Sequence, residues 1–123
     1  MSIVKASKAA ALCAVAAVSL LSGCAAQQKP LYGWGHYQQN VYSYFKSTDG
    51  DTTAQVTELE ADLQKMLATG EAVPPGYHAH MGLLYAKSGR MELTQREFET
   101  EKKLYPESTA YMDFLLRNFS KKD

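Results

Sequence analysis

The stretch PPGYHAHMGLLYAKSGRMELTQREFETEKKLYPES, residues 74–108, decides the fold. Pro74-Pro75-Gly76 breaks what precedes it, because proline cannot continue a helix and glycine accepts turn conformations. Tyr77, Met81, Leu84 and Tyr85 then recur on one face at the helical period, and Ser88-Gly89 ends the pattern. Met91, Thr94, Phe98 and Tyr105 mark a second helix, stopped by Pro106. Two amphipathic helices joined by a short turn predict a helical hairpin. Ala110, Tyr111, Phe114, Leu115 and Phe119 predict one more helix after it.

Working outward, the same period continues upstream. Val56, Leu59, Leu63, Met66 and Leu67 predict a helix over residues 52–68 that stops at Gly70. Ser47-Thr48-Asp49-Gly50-Asp51 reads as a turn that caps this helix; the carboxylate spacing of a calcium loop is missing. Tyr37, Val41, Tyr44 and Phe45 predict an earlier helix over residues 36–46. The expected fold is all-α, with four to five helices filling residues 31–123. A chain of 123 residues holds one such domain at most, and its balance of 13 basic against 13 acidic side chains argues against a nucleic-acid binder.

The hairpin at residues 75–108 resembles a tetratricopeptide repeat, a 34-residue unit of two antiparallel helices. With Pro75 at the first position, the glycine of that pattern falls on Gly82, its tyrosine on Tyr85 and its turn glycine on Gly89. The aromatic falls on Phe98 and the closing proline on Pro106. His78 stands where tryptophan is usual and Met81 where leucine is. Thr94 and Glu101 replace two small alanines, which puts tight packing of the two helices in question. One repeat buries little by itself, so the upstream helices must supply its neighbour in a stack of helical hairpins.

Residues 1–23 read as an export signal. Lys5 and Lys8 precede an apolar run, AAALCAVAAVSLL, of the length of a signal-peptide core and too short for a comfortable membrane span. Leu21-Ser22-Gly23-Cys24 resembles the lipobox of bacterial lipoproteins. That resemblance implies cleavage before Cys24, diacylglycerol on its sulfur and an acyl chain on its amino group. Two or three chains make such anchoring effectively permanent. Cleavage would leave 100 residues, with 11 basic against 13 acidic. Cys13 would leave with the leader, so the mature chain could form no internal disulfide. The absence of Asp after Cys24, where Ala25 and Ala26 stand, favours the outer membrane of the cell envelope, facing the periplasm. The lipidated tether, residues 24–30, is short; its six residues after Cys24 extend to about 20 Å at most.

An aromatic cluster follows the tether. Tyr32, Trp34, Tyr37, Tyr42, Tyr44 and Phe45 either fill the core of a small domain or form a half-wet edge that meets a partner or lipid headgroups. Gly33 and Gly35 would let Trp34 fold back on the domain. In the hairpin, Tyr77, Tyr85, Phe98 and Tyr105 line its buried side or its edge. Tyr32, Trp34, Tyr37, Tyr42, Tyr85 and Phe98 are the candidate partner-binding residues.

Chemistry is harder to find. His78 and His80, two apart on a helix, point in nearly opposite directions and cannot chelate one ion, and no metal-ligand spacing occurs. Glu97, Glu99 and Glu101 could suggest the paired carboxylates of glycan cleavage. Yet Glu92–Arg96, Glu99–Lys103 and Asp113–Arg117 stand at i, i+4 with the acid first, as on a solvated helix side. No catalytic residue, metal site or bound cofactor is expected.

The lipobox, the stretch LYGWGHYQQNVYSYF and the hairpin together make the chain similar to a small lipoprotein family catalogued as domain of unknown function 4810. The resemblance implies envelope assembly with other lipoproteins, among them a curli-secretion-channel-like lipoprotein and a further small one. The expected function is a non-catalytic, lipid-anchored adaptor. The alternative is an enzyme or regulator of cell-wall peptidoglycan metabolism.

Overall fold

The computed structural model describes residue 3 and residues 28–46 and 51–121. The export signal, the lipobox at Leu21–Cys24 and most of the tether lie outside the described residues, as does the turn at residues 47–50. Among the described residues the fold is all-α, with five α-helices: α1 Tyr37–Lys46, α2 Thr52–Thr69, α3 Tyr77–Lys87, α4 Met91–Leu104 and α5 Thr109–Ser120. A 3₁₀ turn, Pro106–Ser108, leads into α5. No described helix is long and apolar enough to cross a membrane.

The helix ends follow local chemistry. Asp51 starts α2 by accepting hydrogen bonds from the amides of Thr53 and Ala54 at 2.9 and 3.2 Å, the expected service of an N-cap aspartate. Gly70 ends the same helix at φ +69°, in the left-handed region that glycine enters at little cost. The turn between α3 and α4 uses Gly89 in the same way, at φ +73°.

The most extensive packing joins α3 to α4, with α2 against α3 and α5 against α4. The main core is Val56, Leu59 and Met66 of α2 with Tyr77, Met81, Leu84 and Tyr85 of α3. Leu67, which the period put on the same face of α2, is instead exposed. Phe98 of α4 sits between α3 and α5: a Cβ on Gly82 would collide with its ring, and Phe119 stacks on it at 6.2 Å.

Two substitutions that put the hairpin's packing in question prove to be part of it. Thr94 and Glu101 are both fully buried. The Thr94 hydroxyl donates to the Gly82 carbonyl at 3.2 Å, so its polar atom is satisfied across the helix contact. Glu101 reaches from α4 to the start of α3, where its carboxylate accepts from the amides of Gly76 at 2.6 Å and Ala79 at 3.3 Å. Gly76 has no side chain to cap α3. Glu101 therefore caps it from another helix, with its negative charge at the positive end of the α3 dipole.

The charge pairs also differ from the i, i+4 expectation. Lys102 bonds Glu99 at 3.1 Å and Asp113 of α5 at 2.7 Å, tying α4 to α5. Arg96 bonds its neighbour Glu97 at 3.1 Å. Glu97 and Glu101 are not on a solvated face, because each has a partner on α3 that outweighs its exposure to water.

Candidate interaction surface

The chain enters the domain as a strap held from both sides. Tyr32 forms a single parallel bridge with Ala72, and the Gly33 amide donates to the Ala72 carbonyl at 2.9 Å. Gly33 is buried with no room for a side chain, because a Cβ would meet Met66 Cγ at 2.5 Å. Gly35, at φ +44°, presses against the Asp62 side chain. The Asp62 carboxylate accepts from the His36 amide at 2.6 Å and lies 3.0 Å from His36 Nδ1. Asn40 donates to Glu58 at 2.7 Å and fixes α1 on α2.

This strap places the aromatic residues. Trp34 stacks on Tyr37 at 6.3 Å and meets Tyr32 edge-on at 5.9 Å, yet remains 40% exposed. Tyr37 turns inward onto Tyr77 at 5.2 Å and its hydroxyl donates to the Pro75 carbonyl. Tyr42 and Phe45 point outward, 62% and 75% exposed. Of the six candidate partner-binding residues, then, Trp34 and Tyr42 reach the surface, while Tyr32 and Tyr37 are half-buried in the strap. Tyr85 and Phe98 are core, at 1% and 0% exposure, and offer no face to a partner. Their helical period is that of buried residues, and at that spacing a core ring and a docking ring look alike. Phe45, named only within the aromatic cluster, and Tyr111 and Phe114, named only as helix-forming, are all at least half exposed. The helical period put all three on the apolar stripes read for α1 and α5, so the sequence carried no signal that they stay uncovered.

His78 and His80 do diverge. His78 Nδ1 donates to Glu97 Oε2 at 2.7 Å on the α4 side. His80 faces α1, edge-on to Tyr37 and Tyr44 at 6.1 and 5.4 Å. Burial pushes the His80 imidazole down to about 4, so it is neutral at pH 7, and its Nε2 has no hydrogen-bond partner among the described residues. Burial raises the Glu97 carboxyl, but the hydrogen bonds and charges of His78 and Arg96 together hold it below its ordinary value. The Tyr85 hydroxyl donates to Glu60, and burial first and this bond second raise its pKa. These carboxylates serve the packing of helices on one another.

An open groove of about 420 Å³ is lined by Tyr44 of α1, Leu83, Ala86 and Lys87 of α3, and Phe119 of α5, with Gly89 and Met91 at its end. It runs across the three odd-numbered helices. Among the described residues, no three His, Cys, Asp or Glu side chains converge to hold a metal ion.

A family model described as a domain of unknown function (DUF4810) matches residues 31–115, from the strap into α5. No curated protein matches the chain, and no solved structure does.

Proposed function

The chain belongs to the DUF4810 family, and on that premise we propose that it is a non-catalytic adaptor, anchored by lipid on Cys24 and docking other envelope lipoproteins. The observation that carries this reading is the placement of its rings. Trp34, Tyr42, Phe45, Tyr111 and Phe114 remain outside the core of a domain small enough to need every large side chain it has. Tyr111 and Phe114 stack on each other at 6.3 Å in the open, and adjoining exposed apolar groups support a surface that meets a partner. The hairpin of α3 and α4 is read as tetratricopeptide-like, since Gly82 admits the Phe98 ring where that pattern has its glycine and aromatic. Such stacks present grooves to other chains.

The lipobox, with Ala25 rather than Asp after Cys24, supports a position for this adaptor at the periplasmic side of the outer membrane. The cell-wall alternative has less to draw on: Glu97 and Glu101 are engaged with His78, Arg96 and the start of α3, and Glu99 with Lys102. The test is purification of the full chain from membranes of its own cells. It should bring down another lipoprotein at near-stoichiometric yield, and the Cys24→Ala variant should leave the membrane fraction. Repeated purification of the chain alone would sink the adaptor. Retention of Cys24→Ala through an alkaline wash would sink the lipid anchor.

A further inference from the structure

The odd-numbered helices run the same way. Tyr37 at the start of α1 meets Tyr77 at the start of α3, and Tyr44 near its end lies under Lys87 near the end of α3. Phe119, near the end of α5, shares the groove with Lys87 and Gly89. The last turns of α1, α3 and α5 are therefore gathered at one end of the domain. That end carries five basic side chains: Lys46, Lys87 and Arg90, then Arg117 and Lys121. None of the five has an acidic partner among the described residues, whereas His78, Arg96 and Lys102 elsewhere do. Lys46, Lys87 and Arg90 lie instead over the rings of Tyr42, Tyr44 and Tyr85, at 5.2, 5.6 and 4.9 Å.

Basic residues in a last turn complement the helix dipole, which amounts to roughly half a charge per helix end. That accounts for part of the cluster, but not for five cations in a chain with no basic excess. Of the acids near this end, Asp51 is committed to capping α2, Glu60 accepts from the Tyr85 hydroxyl beneath Arg90, and Glu92 in the first turn of α4 forms no ion pair with the five among the described residues. Between the cations runs the apolar groove floored by Leu83, Ala86 and Phe119.

We infer that this groove seats a segment of a partner protein that is acidic and carries at least one large apolar side chain. The inference deepens the adaptor reading and rests on it. Charge complementarity selects the sign: carboxylates would find cations already held over rings, and an apolar anchor would find the groove floor. Position selects protein over lipid. The chain enters from its tether beside Ala72 and the start of α1, and α1 then carries it about 15 Å to the basic end. The cations thus lie at the end away from the tether, and a concave groove does not fit a flat headgroup layer.

The test uses the full chain, purified in detergent, to select from a random displayed peptide library. The enriched peptides should be net acidic with a bulky apolar residue. Their binding should fall by about tenfold or more in a Lys87→Glu, Arg117→Glu double variant and weaken with added salt. A Lys65→Glu, Lys103→Glu variant makes the same change in net charge at the opposite end and should bind as the parent does. Circular dichroism melts would establish that both variants are folded. Enrichment of neutral or basic peptides overturns the inference, as does equal loss in both double variants. Vesicles of phosphatidylethanolamine and phosphatidylglycerol form the second arm: loss of vesicle binding in the Lys87, Arg117 variant, with peptide binding intact, assigns the cations to lipid and overturns it too. If that variant still recovers its lipoprotein partner from membranes in full, the adaptor stands and the groove falls. If the parent recovers none, the adaptor itself falls.

Discussion

The two ends of this small domain use charge in opposite ways. At the end where the chain enters, carboxylates are bound into the structure: Glu101 caps α3, and Asp62 holds the backbone and ring of His36. At the far end, five cations have no acidic partner among the described residues and lie over rings or in solvent. The difference teaches which charges hold the fold and which are left for another molecule. A buried carboxylate that satisfies two amides cannot be removed without orphaning them. An exposed lysine over a tyrosine can be removed at little cost to folding.

The sharpest way to break this contrast is at Glu101. Glu101→Ala leaves the amides of Gly76 and Ala79 without their acceptor and should cost about 3–4 kcal/mol of stability, read from urea unfolding. A loss under about 1 kcal/mol would mean that the cap is idle.

The next effect is a pH dependence that belongs to the fixed part of the molecule. His80 is pushed down to about 4 in the fold, below the ordinary 6.5 of an unfolded histidine. As pH falls from about 6.5 the unfolded chain takes up the proton first, so stability is full above that pH and declines until about pH 4. The span is about 3 kcal/mol. Glu97 adds to the acid side, since its depressed carboxyl stabilises the fold above the ordinary carboxylate range and loses that effect as pH falls through its lowered value. Unfolding measured between pH 7 and 4 in His80→Leu should show a flatter profile than the parent; an unchanged slope would remove His80 as the cause.

The smallest effect is the counterpart at the basic end. Lys87→Ala and Lys121→Ala should each leave stability within about 0.5 kcal/mol of the parent. A larger loss would show that these cations are structural after all, and would erase the difference between the two ends.

Much of the architecture was legible in the chain. Tyr77, Met81, Leu84 and Tyr85 announced α3 because apolar spacing at the helical period leaves no other way to bury those side chains together. Gly70, Asp51 and Gly89 announced the ends, because the conformations and hydrogen bonds they supply are local. The surface was less legible. Phe98 and Phe114 both lie on the apolar stripe read for their helices, and nothing within either helix says that one is wholly buried and the other half exposed. That depends on which neighbour covers them, and for Phe98 the cover comes from Gly82 and Phe119.

The sequence by itself determined that this protein is a helical domain, because periodicity, caps and breakers act within a few residues. The tertiary structure decided the rest. It turned Thr94 and Glu101 from apparent defects into cross-helix hydrogen bonds, and withdrew Tyr85 and Phe98 from the surface. It also gathered Lys46, Lys87 and Arg117 from three separate helices to one end. Each of these depends on atoms brought together from distant parts of the chain, and burial and charge pairing exist only once that has happened.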